Sequence, residues 1–216
     1  MNLSIPAPLK IQAYNIIKEA IISGIFRDHD AITEKLVQEK FNISRTPFRE
    51  ALQILESEGW VYTVPYKGTY VKPITLDDLH ELFELRLIVE PGILEYGFDH
   101  NIKFKADQLE ENLNKMEIDE KIQSNLEFMT LDRDFHDLLY KLTNNSRLKT
   151  VADQVSDIML RVGIRVLDHH SRREEVIEEH RKIISGLKDG TAKNHLRFHL
   201  EKTKEYYCTM YKESRG

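Results

Sequence analysis

The chain holds one cysteine, Cys208, among 216 residues, so no internal disulfide can form. A lone thiol with no surrounding motif suits a reducing compartment and reads as a plain helix-surface or core residue. No run of 18 apolar residues occurs. That excludes a membrane-spanning helix of ordinary length and makes a cytoplasmic protein the expectation. The first ten residues hold no basic stretch followed by an apolar core, so no secretory signal is expected. Repeats and low-complexity tracts are also missing. There is no His-Glu-x-x-His pair, no nucleophile elbow and no phosphate-binding glycine loop, which removes the commonest hydrolase signatures. Positive charge is in deficit as well. The net charge is −5, which alone argues against a nucleic-acid partner.

The distribution of charge says more than its sum. Residues 1–72 carry nine Lys/Arg against eight Asp/Glu, while the rest of the chain is acidic. Lys35, Lys40, Arg45, Arg49 and Lys67 form one basic patch if folding gathers them. The stretch Ser44-Arg45-Thr46-Pro47-Phe48-Arg49-Glu50-Ala51-Leu52 is the most informative. Ser44 is a good N-cap, its hydroxyl expected to accept from a first-turn N–H. Pro47 falls in that first turn, where a missing N–H costs least. Arg45 and Arg49 are one turn apart on one face, with Gln53 next. Phe48, Ala51, Leu52 and Leu55 face inward. A helix held by its back, with guanidinium groups on its front, fits a DNA major groove.

Around it, apolar spacing predicts a helix over 9–23, ended by Gly24, and a second over 34–41, capped by Thr33. The arginine helix runs over 45–58. Trp60–Val64 and Thr69–Val71 read as strands joined by the turn Pro65-Tyr66-Lys67-Gly68. Three helices and a hairpin make a winged helix-turn-helix. Thr75 and Asp78 form a capping pair that opens a second, all-helical domain. Helices are predicted near 76–97, 104–117, 122–143, 147–167, 172–188 and 191–213, with Pro91 kinking or dividing the first. Asn144-Asn145-Ser146 and Asp189-Gly190 are the clearest turns. The expected fold is mainly α: a DNA-binding domain over 1–73, then an antiparallel helical bundle over 74–216 for effector binding and dimerisation.

The arginine-helix segment, then Leu55-Glu56-Ser57-Glu58-Gly59-Trp60-Val61 and Lys67-Gly68-Thr69-Tyr70-Val71, resembles the winged-helix half of GntR-type transcriptional regulators. The second half resembles the effector domain of their FadR (FCD) branch. Glu84–Glu90 matches its opening helix, and Asp132-Arg133-Asp134-Phe135-His136 with Asn145–Leu148 the central one. Glu179-His180 and His199-Leu200 match the closing pair. The pattern departs in two places. Asp28-His29 stand where the family usually has Pro-Gly, and the stretch between His180 and His199 is shorter by about one helical turn.

The resemblance implies that Arg45 and Arg49 read bases, with Thr46 on a phosphate or base. Lys35 would meet the DNA backbone, and Lys67 and Gly68 would form a wing tip in the minor groove. The other reading of these residues is a solvated charged surface. Asp132 and His136 are four apart on one predicted helix, with His180 and His199 on later ones. One carboxylate and three imidazoles suit a divalent transition metal such as Zn²⁺, Ni²⁺ or Mn²⁺. That spacing is weak without the resemblance, and His195 competes with His199 as the last ligand. Arg86 lies on a helix whose Leu82, Leu85 and Val89 look buried, so it needs a carboxylate, from Glu90 or from an effector. Arg161 and Arg165 are weaker effector candidates whose other reading is surface ion pairs. His169 and His170 are expected in an exposed loop, and His80 and His100 have no partner in register. The function this implies is a homodimeric regulator, a repressor by family habit, binding a near-palindromic operator under control of a small organic acid. Two other readings stay open. One is a metal-dependent hydrolytic enzyme with an accessory DNA-binding module and Asp134 or Glu179 as base. The other is a metal-free domain with structural histidines.

Overall fold

The computed structural model describes residues 6–97, 103–119, 124–143, 145–167 and 170–213. His100, Asn144 and His169 lie outside the described residues. Chain packing divides the molecule into two compact units, Met1–Ile74 and Thr75–Gly216.

The first unit holds α1 (Leu9–Ile22), α2 (Glu34–Phe41), α3 (Arg45–Ser57), β1 (Val61–Val64) and β2 (Gly68–Val71). Its core is Ile17, Ile21, Phe26, Val37, Phe48, Ala51 and Leu55, all buried. These positions recur at helical spacing, which turns the apolar stripes of α1 and α3 against each other. Thr33 caps α2 by accepting from the Leu36 N–H. Asn42 ends α2 in the left-handed region at φ 54°, a conformation asparagine tolerates better than most residues. β1 and β2 pair antiparallel with Val61 opposite Val71 and Val64 opposite Gly68. The segment around Ala31 adds an edge bridge to Tyr70. His29, standing where the glycine was expected, adopts φ 68°.

The second unit holds α4 (Leu76–Gly97), α5 (Lys103–Asp119), α6 (Asn125–Tyr140), α7 (Ser146–Val166), α8 (His170–Asp189) and α9 (Ala192–Glu213). A 3₁₀ turn over Lys141–Thr143 follows α6. α4 packs on α9, α6 on α7 and α5, and α8 on α9 and α5. Thr75 and Asp78 cap α4 reciprocally: the Thr75 N–H and hydroxyl donate to the Asp78 carboxylate, and the Asp78 N–H donates to the Thr75 hydroxyl oxygen. Ser124 and Glu127 form a capping box at the start of α6. Pro91 does not divide its helix, since α4 runs unbroken through it. Proline removes one intrahelical donor, and the surrounding turns of a long packed helix carry that loss. Leu85 is 39% exposed rather than buried, because the inward face of α4 runs through Leu79, Leu82, Phe83, Arg86 and Glu90.

Candidate metal centre and nucleic-acid interface

In the first unit, α3 buries Pro47, Phe48, Ala51 and Leu55 and leaves Arg45, Thr46 and Arg49 exposed. Ser44 stands at the N-cap with extended backbone, φ −78° and ψ 165°, but its hydroxyl makes no capping bond. The reason is local. The third helical position, whose N–H a cap usually takes, is Pro47, which has none. The exposed Ser44 hydroxyl is therefore not committed to the helix. Arg45 is 65% exposed and its Nε lies 3.3 Å from Glu34 Oε2, a surface ion pair. Such pairs are worth little in water and are readily exchanged for a stronger anion. Lys35 makes a similar long pair with Glu39, at 3.9 Å. Lys67 and Gly68 are exposed at the hairpin, with Gly68 at φ 123°.

In the second unit, Asp132 and His136 project from α6, His180 from α8 and His199 from α9. Each offers one donor atom, and the four atoms lie within 4.8 Å of one another. His136 Nε2 is 3.3 Å from His199 Nε2, and His180 Nε2 is 3.5 Å from Asp132 Oδ1. The stack of His180 on Phe135, with centroids 3.8 Å apart, fixes its ring plane. His195, one turn before His199, is half-buried and stands outside the group.

Two carboxylates orient the imidazoles. Glu90 Oε2 lies 2.9 Å from His136 Nδ1, and Glu179 Oε2 lies 2.6 Å from His199 Nδ1. Each carboxylate is held in turn by an arginine. Arg86 donates through Nε and Nη2 to Glu90. Arg172 donates to both oxygens of Glu179, at 2.8 and 3.0 Å, and to the Thr203 hydroxyl. Glu179 thus holds His199 by a hydrogen bond and Glu90 stands against His136 in an ion-pair contact, while Nε2 of both rings faces one spot. This is how proteins set the tautomer and basicity of metal-ligating histidines.

Electrostatics agree with that geometry. Burial, then repulsion from His199, His136, Arg86 and Arg172, pushes His180 well below the ordinary imidazole range. Burial also lowers His199, with Glu179 pulling the other way. Both rings are therefore neutral at pH 7, the form that binds metal. Burial would raise Glu90, but Arg86 and His136 outweigh it and hold its carboxyl far below the usual range. His180 is 0% exposed and neither of its ring nitrogens has a hydrogen-bond partner among the described residues. An orphaned buried nitrogen is costly, and a divalent ion among these four donors would remove that cost for the one His180 nitrogen that ligates it.

Arg86 is buried and pairs with Glu90, one of the two partners its spacing left open. Beside the four-donor cluster lies a small, narrow cleft that is partly open to solvent. Arg86, Glu90, Asp132, Arg133, His136 and Tyr140 supply its polar lining. Arg161 is 2% exposed, so the surface ion pair expected of it is wrong; it sits on the inner face of α7 and does not line the cleft. Arg165 is exposed. The roles of Glu90 and Glu179 behind the histidines went unrecognised in the sequence. The usable signals were the four-residue step from Arg86 to Glu90 and the acid directly before His180. Arg172 and Arg133 gave no signal that separates them from surface arginines.

Comparison with known proteins places these features in a family. Residues 9–71 match the model of bacterial regulatory proteins of the gntR family, and residues 81–201 match the FCD domain. An HTH-type transcriptional regulator of Bacillus subtilis, YdhC, is 27% identical over 99% of this chain and 97% of its own. The Escherichia coli transcriptional repressor RspR is 27% identical over 86% of this chain and 82% of its own. The structure of E. coli McbR/YncC superposes with a TM-score of 0.79 at 20% identity, covering 97% of this chain and all of that one, which speaks for the fold. Among the described residues no helix is long and apolar enough to cross a membrane. With a helix-turn-helix whose arginine face is exposed to solvent, followed by an FCD helical domain, the chain belongs to the GntR family of DNA-binding transcriptional regulators, in its FadR/FCD subfamily.

Proposed function

We propose that this regulator works as a homodimer, binds a near-palindromic operator, and changes its hold on DNA when a small carboxylate enters a metal-containing helical domain. The observation that carries the reading is the meeting of Asp132, His136, His180 and His199, from three helices, around His180 nitrogens that make no hydrogen bond among the described residues. Zn²⁺, Ni²⁺ or Mn²⁺ fits three imidazoles and one carboxylate. When bound, the ion supplies positive charge for an anionic effector. The protein's own part is to aim His136 and His199, through Glu90 and Glu179, and to supply the polar lining of the adjacent cleft. Arg86, at that cleft, is proposed as the effector-facing cation. Arg161, away from the cleft, has less support in that role.

On the DNA side, Arg45 and Arg49 are proposed to read bases in the major groove, with Thr46 on a phosphate or base. Lys35 would meet the backbone, and Lys67 and Gly68 would carry the wing. Two copies would present two such helices to the two halves of an operator. Repression relieved by the acid is the proposed sign of control, in keeping with relatives named as repressors. A ligand can release DNA only if it binds the two arrangements of the dimer unequally.

The test is elemental analysis of protein purified without added metal, followed by thermal unfolding with and without chelator. About one transition-metal ion per chain and a lower melting temperature after chelation are expected. Protein that holds no such ion and is indifferent to Zn²⁺, Ni²⁺ and Mn²⁺ overturns the metal reading.

A further inference from the structure

The cleft beside the four-donor cluster holds one arginine whose side-on donors are spent and one whose are not. Arg86 gives Nε and Nη2, the two N–H groups of that edge, to Glu90. Arg133 lines the same cleft from α6. Among the described residues it donates through Nη1 alone, to Asp157 Oδ1 at 3.2 Å. Its Nε is shielded from water and makes no hydrogen bond among the described residues. The Nε–Nη2 edge is one with which a guanidinium bridges both oxygens of a carboxylate, and here it is unused. Leaving such a donor dry and unpaired costs stability.

The rest of the lining limits what can sit there. Met129, Val155, Met159 and Leu160 make an apolar wall. The two hydroxyls of the lining are already committed as donors. Tyr140 donates to Glu90 Oε1 at 3.3 Å, and Ser156 donates to Asp137 Oδ1 at 3.0 Å. A polyhydroxylated acid would bury its hydroxyl oxygens with few donors left to meet them, which is costly. A hydrocarbon middle carries no such penalty against an apolar wall. The cleft is small and narrow, which restricts that middle to a few carbons. Asp132 and His136, two of the four donors of the candidate metal centre, also line the cleft. It therefore offers two anion seats, one at the metal position and one at Arg133.

We infer that the cleft takes a short dicarboxylate, with one carboxylate at the metal position, the other bridged by Nε and Nη2 of Arg133, and the chain between them on the apolar wall. The inference rests on reading this cleft as the effector site. The test is isothermal titration calorimetry of the full chain loaded with Zn²⁺, with malonate, succinate, butyrate and gluconate as probes. Malonate or succinate is expected to bind roughly tenfold or more tightly than butyrate, which has a single carboxylate, and than gluconate, which is polyhydroxylated. Arg133→Gln is expected to weaken the better dicarboxylate about 10- to 100-fold, the loss that follows removal of a charge-assisted pair of bonds. Arg133→Lys keeps the charge without the fork and is expected to fall between. Asp157→Asn leaves the fork in place and is expected to bind within about threefold of the parent, since a part-exposed ion pair is worth little. If the Arg133–Asp157 pair served packing alone, Asp157→Asn would weaken binding as Arg133→Gln does. Butyrate or gluconate matching the better dicarboxylate, Arg133→Gln binding it like the parent, or no binding by any of the four acids would overturn the inference. A dicarboxylate held through Arg133 that leaves operator affinity unchanged would keep this inference and sink the proposal that the cleft controls DNA binding.

Discussion

Glu179 shows how much a single carboxylate can do here. It takes two donor bonds from Arg172 and stands against His199 Nδ1, so it fixes the tautomer that leaves Nε2 free. Burial would raise its pKa, but the bonds from His199 and Arg172 prevail and keep it charged. Glu179→Gln removes the charge and keeps the shape, while Arg172 retains Glu175 and Thr203 as partners. Metal affinity, measured by chelator competition, is expected to fall about 10- to 100-fold with the fold preserved. Unchanged affinity would remove Glu179 from the site. At this scale the sequence was partly legible. His136 four residues after Asp132 is readable from helical periodicity. The Glu90–His136 and Glu179–His199 contacts join separate helices, and no periodicity reports them.

Helix ends and close approaches govern the elements. The capping pair Thr75/Asp78 was readable from spacing, whereas the idle hydroxyl of Ser44 goes with Pro47 at the third helical position, which has no N–H to give it. Gly186 on α8 lies against the start of α9: an added Cβ would come within 2.5 Å of the Ala192 backbone nitrogen. A backbone neighbour cannot swing aside as a side-chain tip can. Gly186→Ala is therefore expected to destabilise the helical unit by about 1–3 kcal/mol despite the better helix propensity of alanine. Thermal or denaturant unfolding measures it. A gain in stability would mean that the α8–α9 turn yields more easily than its packing implies. Leu85 belongs to the same lesson. Apolar spacing put Leu85 on the buried side of α4, and packing against α9 turned inward the face that carries Leu82, Phe83, Arg86 and Glu90.

For the whole molecule the question is how a chain of net charge −5 holds a polyanion. The answer proposed is local: basic groups on α2, α3 and the wing meet phosphates, while the acidic excess lies in the other unit. Binding driven by phosphate contacts releases counterions, so operator affinity is expected to fall steeply with salt, its logarithm linear in log salt concentration. A titration series from low to physiological salt checks this, and a flat response would argue that phosphates contribute little. The sequence by itself determined the elements, their order and the exposed arginine face, since apolar periodicity, caps and turn residues are local properties of the chain. Only tertiary structure decided that His199 rather than His195 joins the cluster, that Arg86 is bound to Glu90, and that Arg161 is buried. Those outcomes depend on which helix faces meet, and that is fixed by packing among residues far apart in the chain.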